Sequence, residues 1–439
     1  MVILRSINPS ETSTGKHVAI VGLTCDSHNW SSINSSLDEL SELVLSIGAI
    51  VEIRMVQERK RQDPRLFLGK GKVRLLAKSC AEKDVSMVIV DNELSGVQLR
   101  NLESELGRRV IDRTELILEI FASRARTREG KLQVELAQLR YCLPRLVGTG
   151  KELSRLGAGI GTRGPGEMRL ETDRRKIRLR IGVLSRAIEA VRRRRSNTSA
   201  RRRKKLVSTI ALVGYTNAGK TSVFNMLTTS SSLTSDVLFT TLDPLVRRMP
   251  FGGHRPVLLS DTVGFISRLP HTLVAAFRAT LEQASEADLL LHVIDVSHPE
   301  RERQIDSVKS VLREMGADHV PLLEVLNKCD LLDVSSYFHL RRINSEAMLV
   351  SALTGKGREN LLERISEELL LDVRRVTFNF RNSSEEDKRQ ITQLYRYGRV
   401  IRHVMKNEDV SIEADVPLNL LERFRMRKSI NKLEVDRSE

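Results

Sequence analysis

The octapeptide Gly214 to Thr221, GYTNAGKT, matches the pattern GxxxxGK[ST] at both ends and stands between an apolar run, VSTIALV, and the start of a helix. Few patterns constrain a fold more. Such a loop offers its backbone amides to a phosphate only when a buried strand delivers the chain to it and a helix N-terminus leads away. The flanking sequence meets that demand. From Leu206 to Leu371, apolar runs (PVLLSDT, ADLLLHVIDV, VPLLEVLNKCD, AMLVSA) alternate with amphipathic stretches (LVAAFRATLEQ, ERERQIDSVKSVLREMG, NLLERISEELL), the pattern of a parallel α/β domain. Within the loop, Lys220 is placed to bridge β and γ phosphates and the Thr221 hydroxyl to ligate magnesium.

Further motifs follow in the order a GTP-hydrolysing domain needs. Thr241, in FTTLDP, supplies a second magnesium-ligating hydroxyl. In DTVG, Asp261 holds the metal through water and the Gly264 amide meets the γ phosphate. Lys220, Thr241 and Gly264 are therefore the expected catalytic groups. Asn327, Lys328 and Asp330, in NKCD, close an apolar strand, where a carboxylate accepts both the N1 and N2 protons of guanine. Ser351, Ala352 and Leu353 complete the base pocket. The expected GTP contacts comprise Gly214, Tyr215, Thr216, Asn217, Ala218, Gly219, Lys220, Thr221 and Ser222; Phe239, Thr240, Thr241, Leu242 and Asp243; Asp261, Thr262, Val263 and Gly264; Asn327, Lys328, Cys329 and Asp330; and Ser351 to Leu353.

At 439 residues, and ~150 per domain, the chain holds more than this one unit. Residues 1–113 alternate strands (HVAIVGL, AIVEIRM, VSMVIVD, RRVIDR) with amphipathic helices, implying a small parallel sheet, with Ser36 and Glu39 as a capping box for its first helix. The GKGK at Gly69 reads as a turn with surface lysines. Residues 114–205 are helical. Asp112 and Glu115 start a helix on which Leu132, Leu136, Leu139, Leu143 and Leu146 recur, and Pro144 marks its close. A second stripe, Ile177, Ile181, Leu184, Ile188 and Val191, predicts that the two pack as an antiparallel hairpin. Its connector, 147–167, holds seven of the 25 glycines. Residues 372–439 suggest a small α+β appendage, with VTFNF and SIEADV as strands, a helix from Asp387 to Val404 and a closing LNLLERFRMR.

Charge is concentrated in the hairpin. Residues 121–210 carry 25 Lys and Arg against 7 Asp and Glu, a local +18 within a total of +16. An excess this dense points to a polyanion such as RNA. Tyr141 is the only aromatic between residues 122 and 214, so backbone and shape recognition of folded RNA fits better than base stacking. The four cysteines, Cys25, Cys80, Cys142 and Cys329, form no zinc or redox pair and read as small buried hydrophobes. No apolar run reaches the ~18 residues of a membrane span and the N-terminus carries no secretory pattern, so a cytoplasmic monomer is expected.

GIGTRGPGE at Gly159 to Glu167, ETDRR at Glu171 to Arg175, GYTNAGKT, FTTLDP, DTVGF and NKCD together resemble the HflX family of ribosome-associated GTPases, within the translation-factor-related class. The resemblance runs from the N-terminal sheet to residue 371. It implies a factor that binds the large ribosomal subunit and its rRNA near the subunit interface and splits or rescues ribosomes, with a role in translation or ribosome biogenesis. Arg163, Arg174 and Arg175 are the RNA contacts it suggests. The alternative is a nucleotide-gated RNA-binding or remodelling module in which hydrolysis only sets residence time; a tRNA-modification GTPase would need a catalytic partner or a cysteine motif, neither of which the sequence offers. Phe265 follows Gly264 where a water-positioning glutamine is expected, which implies slow intrinsic hydrolysis. Asn217 resembles the asparagine of potassium-activated GTPases, making K+ a candidate cofactor beside Mg2+; the competing reading is a loop cap bonded to its own backbone.

Overall fold

The computed structural model describes residues 15–25, 30–146, 165–204, 207–228, 238–239, 245–250, 257–266, 284–343, 347–369, 373–381, 384–406, 409–417 and 421. The chain forms two compact units, one of residues 1–197, 234–244 and 263–282, the other of residues 198–233, 245–262 and 283–439.

In the first unit, four strands, β1 (His17–Thr24), β2 (Ile50–Glu58), β3 (Met87–Val90) and β4 (Arg109–Asp112), form a parallel sheet ordered β2-β1-β3-β4. All four residues of β3 are buried, as a strand covered on both faces requires. Around the sheet run α1 (Trp30–Ser46), α2 (Lys70–Glu82), α3 (Gly96–Leu106) and α4 (Arg113–Arg124). The GKGK read as a turn opens a helix instead: Gly69 is the N-cap of α2 and Lys70, Gly71 and Lys72 are its first residues, with Lys70 exposed.

The capping box expected at Ser36 and Glu39 is not one. Helix α1 starts at Trp30, so both residues lie inside it. The Ser36 hydroxyl donates instead to Asp91 at 2.7 Å, and Glu39 pairs with Arg113, which also donates to Asp91 at 2.8 Å. A guanidinium 3% exposed has to be matched by acceptors, and that demand outweighs a local cap. A capping box does open α3, at Ser95 and Gln98.

The helical stretch after Asp112 breaks into two. Asp112 caps α4, accepting from the Glu115 amide at 2.9 Å, but α4 ends at Arg124 and Thr127 caps a new helix, α5 (Arg128–Arg145), by accepting from Gly130 at 3.0 Å. Pro144 stands one residue before its end. Helix α6 (Pro165–Lys204) runs for 40 residues. Leu132, Leu136 and Leu139 of α5 pack with Ile177, Ile181, Leu184 and Ile188 of α6, and Arg180 grips Glu135 at 2.7 and 2.9 Å. Residues 147–164 of the connector, Arg163 among them, lie outside the described residues, and its last three open α6.

The second unit is built on a six-stranded sheet ordered β10-β9-β8-β5-β7-β6, from β5 (Ser208–Gly214), β6 (Leu245–Met249), β7 (Val257–Asp261), β8 (Leu289–Asp295), β9 (Leu322–Asn327) and β10 (Met348–Leu349). Only β6 runs antiparallel. Its sequence, LVRRM, exposes Arg247 and Arg248 at the sheet edge, so it carries no apolar signature to read. Helices α7 (Lys220–Thr228), α8 (Arg301–Glu314), α9 (Val334–Ile343) and α10 (Arg358–Glu368) accompany the sheet, and Phe224, Leu227, Leu212, Val293, Val325 and Leu361 fill its core. The expected helix at LVAAFRATLEQ lies outside the described residues.

The unit closes with β11 (Val373–Arg381), α11 (Glu385–Tyr397), β12 (Arg399–Lys406) and β13 (Asp409–Pro417), an antiparallel sheet ordered β11-β13-β12. The helix expected to reach Val404 stops at Tyr397. Gly398 caps it, and the β-branched Val400, Ile401 and Val404 continue as a strand. Of LNLLERFRMR, only Leu421 is described, packed in this core. All four cysteines are free; Cys80 and Cys329 are buried, Cys142 is half-buried, and Cys25 is exposed, contrary to its reading as a buried hydrophobe. Among the described residues no helix is long and apolar enough to cross a membrane.

Candidate nucleotide site

Strands β5, β7, β8, β9 and β10 are mutually parallel, so Gly214, Asp261, Asp295, Asn327 and Leu349 all fall at one edge of the sheet. Gly214 leaves β5 at φ 153°, and a Cβ there would collide with the Val293 carbonyl. Asn217 takes the left-handed region at φ 61°, and Gly219 at φ 87° passes so close to the Asn327 side chain that a Cβ would strike it. The chain then enters α7, whose first residue is Lys220.

Lys220 is buried and its ammonium donates to the Tyr215 carbonyl at 2.7 Å, so the loop is bridged from its last turn back to its first residues. Burial pulls the ammonium down to about 8, with Asp261 opposing that shift. The Thr221 hydroxyl donates to Asp261 Oδ2 at 2.8 Å. Asp261 is fully buried at the end of β7, and Thr262 beside it donates to the Leu212 carbonyl at 2.6 Å, tying β7 to β5. A hydroxyl and a carboxylate facing each other are hard oxygen donors, the chemistry that suits a small divalent cation.

Asn327 ties the far side together. Its Nδ2 donates to the Ala218 carbonyl at 2.9 Å and its Oδ1 accepts from the Ala352 amide at 3.0 Å, so one side chain links the phosphate loop to the segment after β10. Lys328 follows in the left-handed region at φ 64°, and its ammonium meets Asp295 Oδ2 at 2.6 Å. Asp330 stands exposed in the short turn Cys329–Leu331. Ser351 is buried and accepts from the Thr354 amide at 3.2 Å, while Leu353 is 87% exposed. Phe239, Val263 and Gly264 are grouped with the first unit, where Phe239, 3% exposed, sets its ring edge-on to Phe121 with centroids 4.7 Å apart. Phe265 is likewise buried. Thr240, Thr241, Leu242 and Asp243 lie outside the described residues. Sequence reasoning passed over Asp295. The signal was available, because the apolar run of β8 closes on the carboxylate of Asp295, level with the Asn327 that opens NKCD.

Three family models cover the chain: GTP-binding GTPase N-terminal over residues 34–122, GTP-binding GTPase Middle Region over 124–202, and 50S ribosome-binding GTPase over 209–328. The GTPase HflX of Caldanaerobacter subterraneus subsp. tengcongensis is 44% identical over 390 residues, covering 89% of each chain. The chain belongs to the HflX family of GTPases. HflX of Lacrimispora saccharolytica is 45% identical over 88% of this chain and 90% of its own, and HflX of Escherichia coli K12 is 41% identical over 89% and 92%. A crystal structure of SsGBP with GDP, 27% identical, aligns with 80% of this chain and 98% of that one at a TM-score of 0.47. As a member of the HflX family the chain binds guanine nucleotide and hydrolyses GTP to GDP and phosphate.

Proposed function

We propose that this GTPase binds the large ribosomal subunit through the basic helices of its first unit and uses GTP to split or rescue ribosomes. One observation carries the nucleotide half of the reading: Asn327 joins the phosphate loop at Ala218 to the segment at Ala352, so a base lodged beside NKCD and phosphates lodged on GYTNAGKT share one frame. In this reading Asp330 accepts from guanine, and Ser351, Ala352 and Leu353 flank it. Lys220 turns its ammonium from the Tyr215 carbonyl to the phosphates, and Thr241 and the Gly264 amide serve the γ phosphate. Thr221, Thr241 and Asp261 would hold Mg2+, which when bound neutralises charge developing on the transferring phosphoryl group. Asn217, at its exposed turn of the loop, is the residue to which a K+ requirement would trace. The buried ring of Phe265 has no group to orient a nucleophile, so slow hydrolysis by the free protein follows, with stimulation on the ribosome.

For the RNA side, Arg175, Lys176, Arg178 and Arg180 of α6 are exposed, and Arg174 is half-exposed. Charge of this density releases counterions from phosphates, so affinity falls by roughly 0.7 to 0.9 log units per log unit of salt for each contact. The test is co-sedimentation with large subunits across salt concentrations in GTP, GDP and a nonhydrolysable analogue. Replacing Arg163, Arg174 and Arg175 together by alanine is expected to weaken binding and flatten the salt slope, leaving GTP affinity intact. Unchanged affinity and slope would leave the basic hairpin a solvated face.

A further inference from the structure

Asp295 has no part in the reading above, yet it holds the lysine of NKCD. It is the last residue of β8 and lies in register with Asn327 of β9. One oxygen, Oδ1, accepts from the backbone amide of Ser297 at 3.0 Å and from its hydroxyl at 2.6 Å. The other, Oδ2, receives the Lys328 ammonium at 2.6 Å. Both side chains are largely covered, 13% exposed for Asp295 and 27% for Lys328, so water screens the pair less than it screens a surface ion pair. The carboxylate is therefore fixed first by its own turn and then fixes the lysine.

The backbone of Lys328 is also held in place. It sits at φ 64°, a region that side chains other than glycine enter at a cost. Around it the Val296 amide donates to the Asn327 carbonyl at 3.0 Å, the Cys329 amide to the Val350 carbonyl at 3.2 Å, and the Leu331 amide to the Lys328 carbonyl at 3.1 Å. With its Cα set by this strained turn and its ammonium set by Asp295, the four-carbon stem between them is pinned at both ends. A free lysine stem samples many rotamers and loses them on binding. A stem already stretched along one path presents a flat apolar edge to a planar ring without that loss.

We propose that Asp295 is a positioning residue for guanine: it holds Lys328 extended so that the aliphatic stem is preformed as one wall of the base site. This rests on the reading that NKCD frames the base. The experiment is a double-mutant cycle on the full chain, with affinity for GDP measured by displacement of a fluorescent guanine nucleotide. Asp295→Asn keeps an acceptor for Ser297 but removes the charge that holds the ammonium. Lys328→Met keeps an unbranched apolar stem and removes the ammonium. Each alone is expected to weaken GDP binding about tenfold, and the double variant to be no weaker than either single one, as for two residues acting as one unit. Melting temperature without nucleotide is read for every variant.

The outcomes separate cleanly. If Lys328→Met binds GDP as the parent does, the stem needs no pinning and positioning by Asp295 fails; if Asp330→Asn in the same assay also binds GDP within about threefold of the parent, the base site is not at NKCD and the underlying reading fails. If Lys328→Met weakens binding while Asp295→Asn does not, or if the two losses multiply in the double variant, positioning by Asp295 fails while the base site stands. If Asp295→Asn loses affinity only in proportion to a lowered melting temperature, the residue is part of the scaffold and the proposal is overturned.

Discussion

The hydroxyl of Tyr141 donates to Asp112 at 2.8 Å, inside the first unit, with Tyr141 4% exposed and Asp112 fully buried. The aspartate also accepts from the Leu94 amide, the Glu115 amide and the Arg145 guanidinium, at 3.1, 2.9 and 3.1 Å. One carboxylate thus joins the loop before α3, the start of α4 and the last turns of α5. The only aromatic between residues 122 and 214 thus serves the architecture, its ring and hydroxyl buried rather than offered to a base. Tyr141→Phe removes one donor from a buried charge and is expected to destabilise the first unit by roughly 2 kcal/mol. Urea unfolding reads the loss, and ribosome affinity at low denaturant should be unaffected.

Glu115 gives the first unit a pH dependence. Burial pushes its carboxyl up from 4.5 to about 7, against the pull of Arg109. Between those values the folded chain binds more protons than the unfolded one, so the contribution of Glu115 to stability declines as pH rises from about 4.5 through about 7. At ~1.4 kcal/mol per pH unit the ceiling is roughly 3 kcal/mol, reduced because the side chain is 24% exposed. Urea midpoints at pH 5 and pH 7.5 should differ less in Glu115→Gln than in the parent. An equal difference would assign the slope to other groups.

Base selection is tested at Asp330. Asp330→Asn replaces a paired acceptor by a group that offers guanine a donor as well, and should cost about a hundredfold in GTP affinity, roughly 3 kcal/mol, while xanthine nucleotides gain. An affinity within about threefold of the parent would remove Asp330 as the base reader.

Gln390 is a liability in the C-terminal core. It lies on α11, 3% exposed, and neither its Oε1 nor its Nε2 finds a partner among the described residues. The next residue of the helix, Ile391, packs against the apolar core that holds Phe378, Leu394 and Ile412. Gln390→Leu has nearly the same volume and no polar atoms, so it should stabilise this part of the second unit by about 1 to 2 kcal/mol. Thermal unfolding with and without guanine nucleotide would read it, because nucleotide binding should be untouched.

Much of this architecture was legible because the elements that matter carry strong local signals. The runs around Ile20, Ile89, Leu212 and Leu291 are too apolar to be anything but buried strands, and the phosphate loop announces its own strand and helix. What escaped was decided by tertiary demand. Ser36 and Glu39 have capping-box spacing but answer to Asp91 and Arg113, which are distant in sequence. The break at Ala125 between α4 and α5 has neither glycine nor proline to mark it; Thr127 alone reopens the helix. Strand β6 was hidden because its outer residues are arginines. At the candidate site the residues of the motifs could be named in advance, whereas the Asp295–Lys328 pair depends on two parallel strands ending level, which no single motif encodes.

Helix α6 has a mechanical consequence. At 1.5 Å per residue its 40 residues make a rod about 60 Å long, while among the described side chains its packed stripe runs from Ile177 to Ile188. A rod gripped over a short middle stretch behaves as a lever. Tilting it by about ten degrees at the grip sweeps either end through several ångströms, with the stiffness supplied by its ladder of backbone hydrogen bonds. Small forces applied near the fulcrum would then be traded for long strokes at the arms.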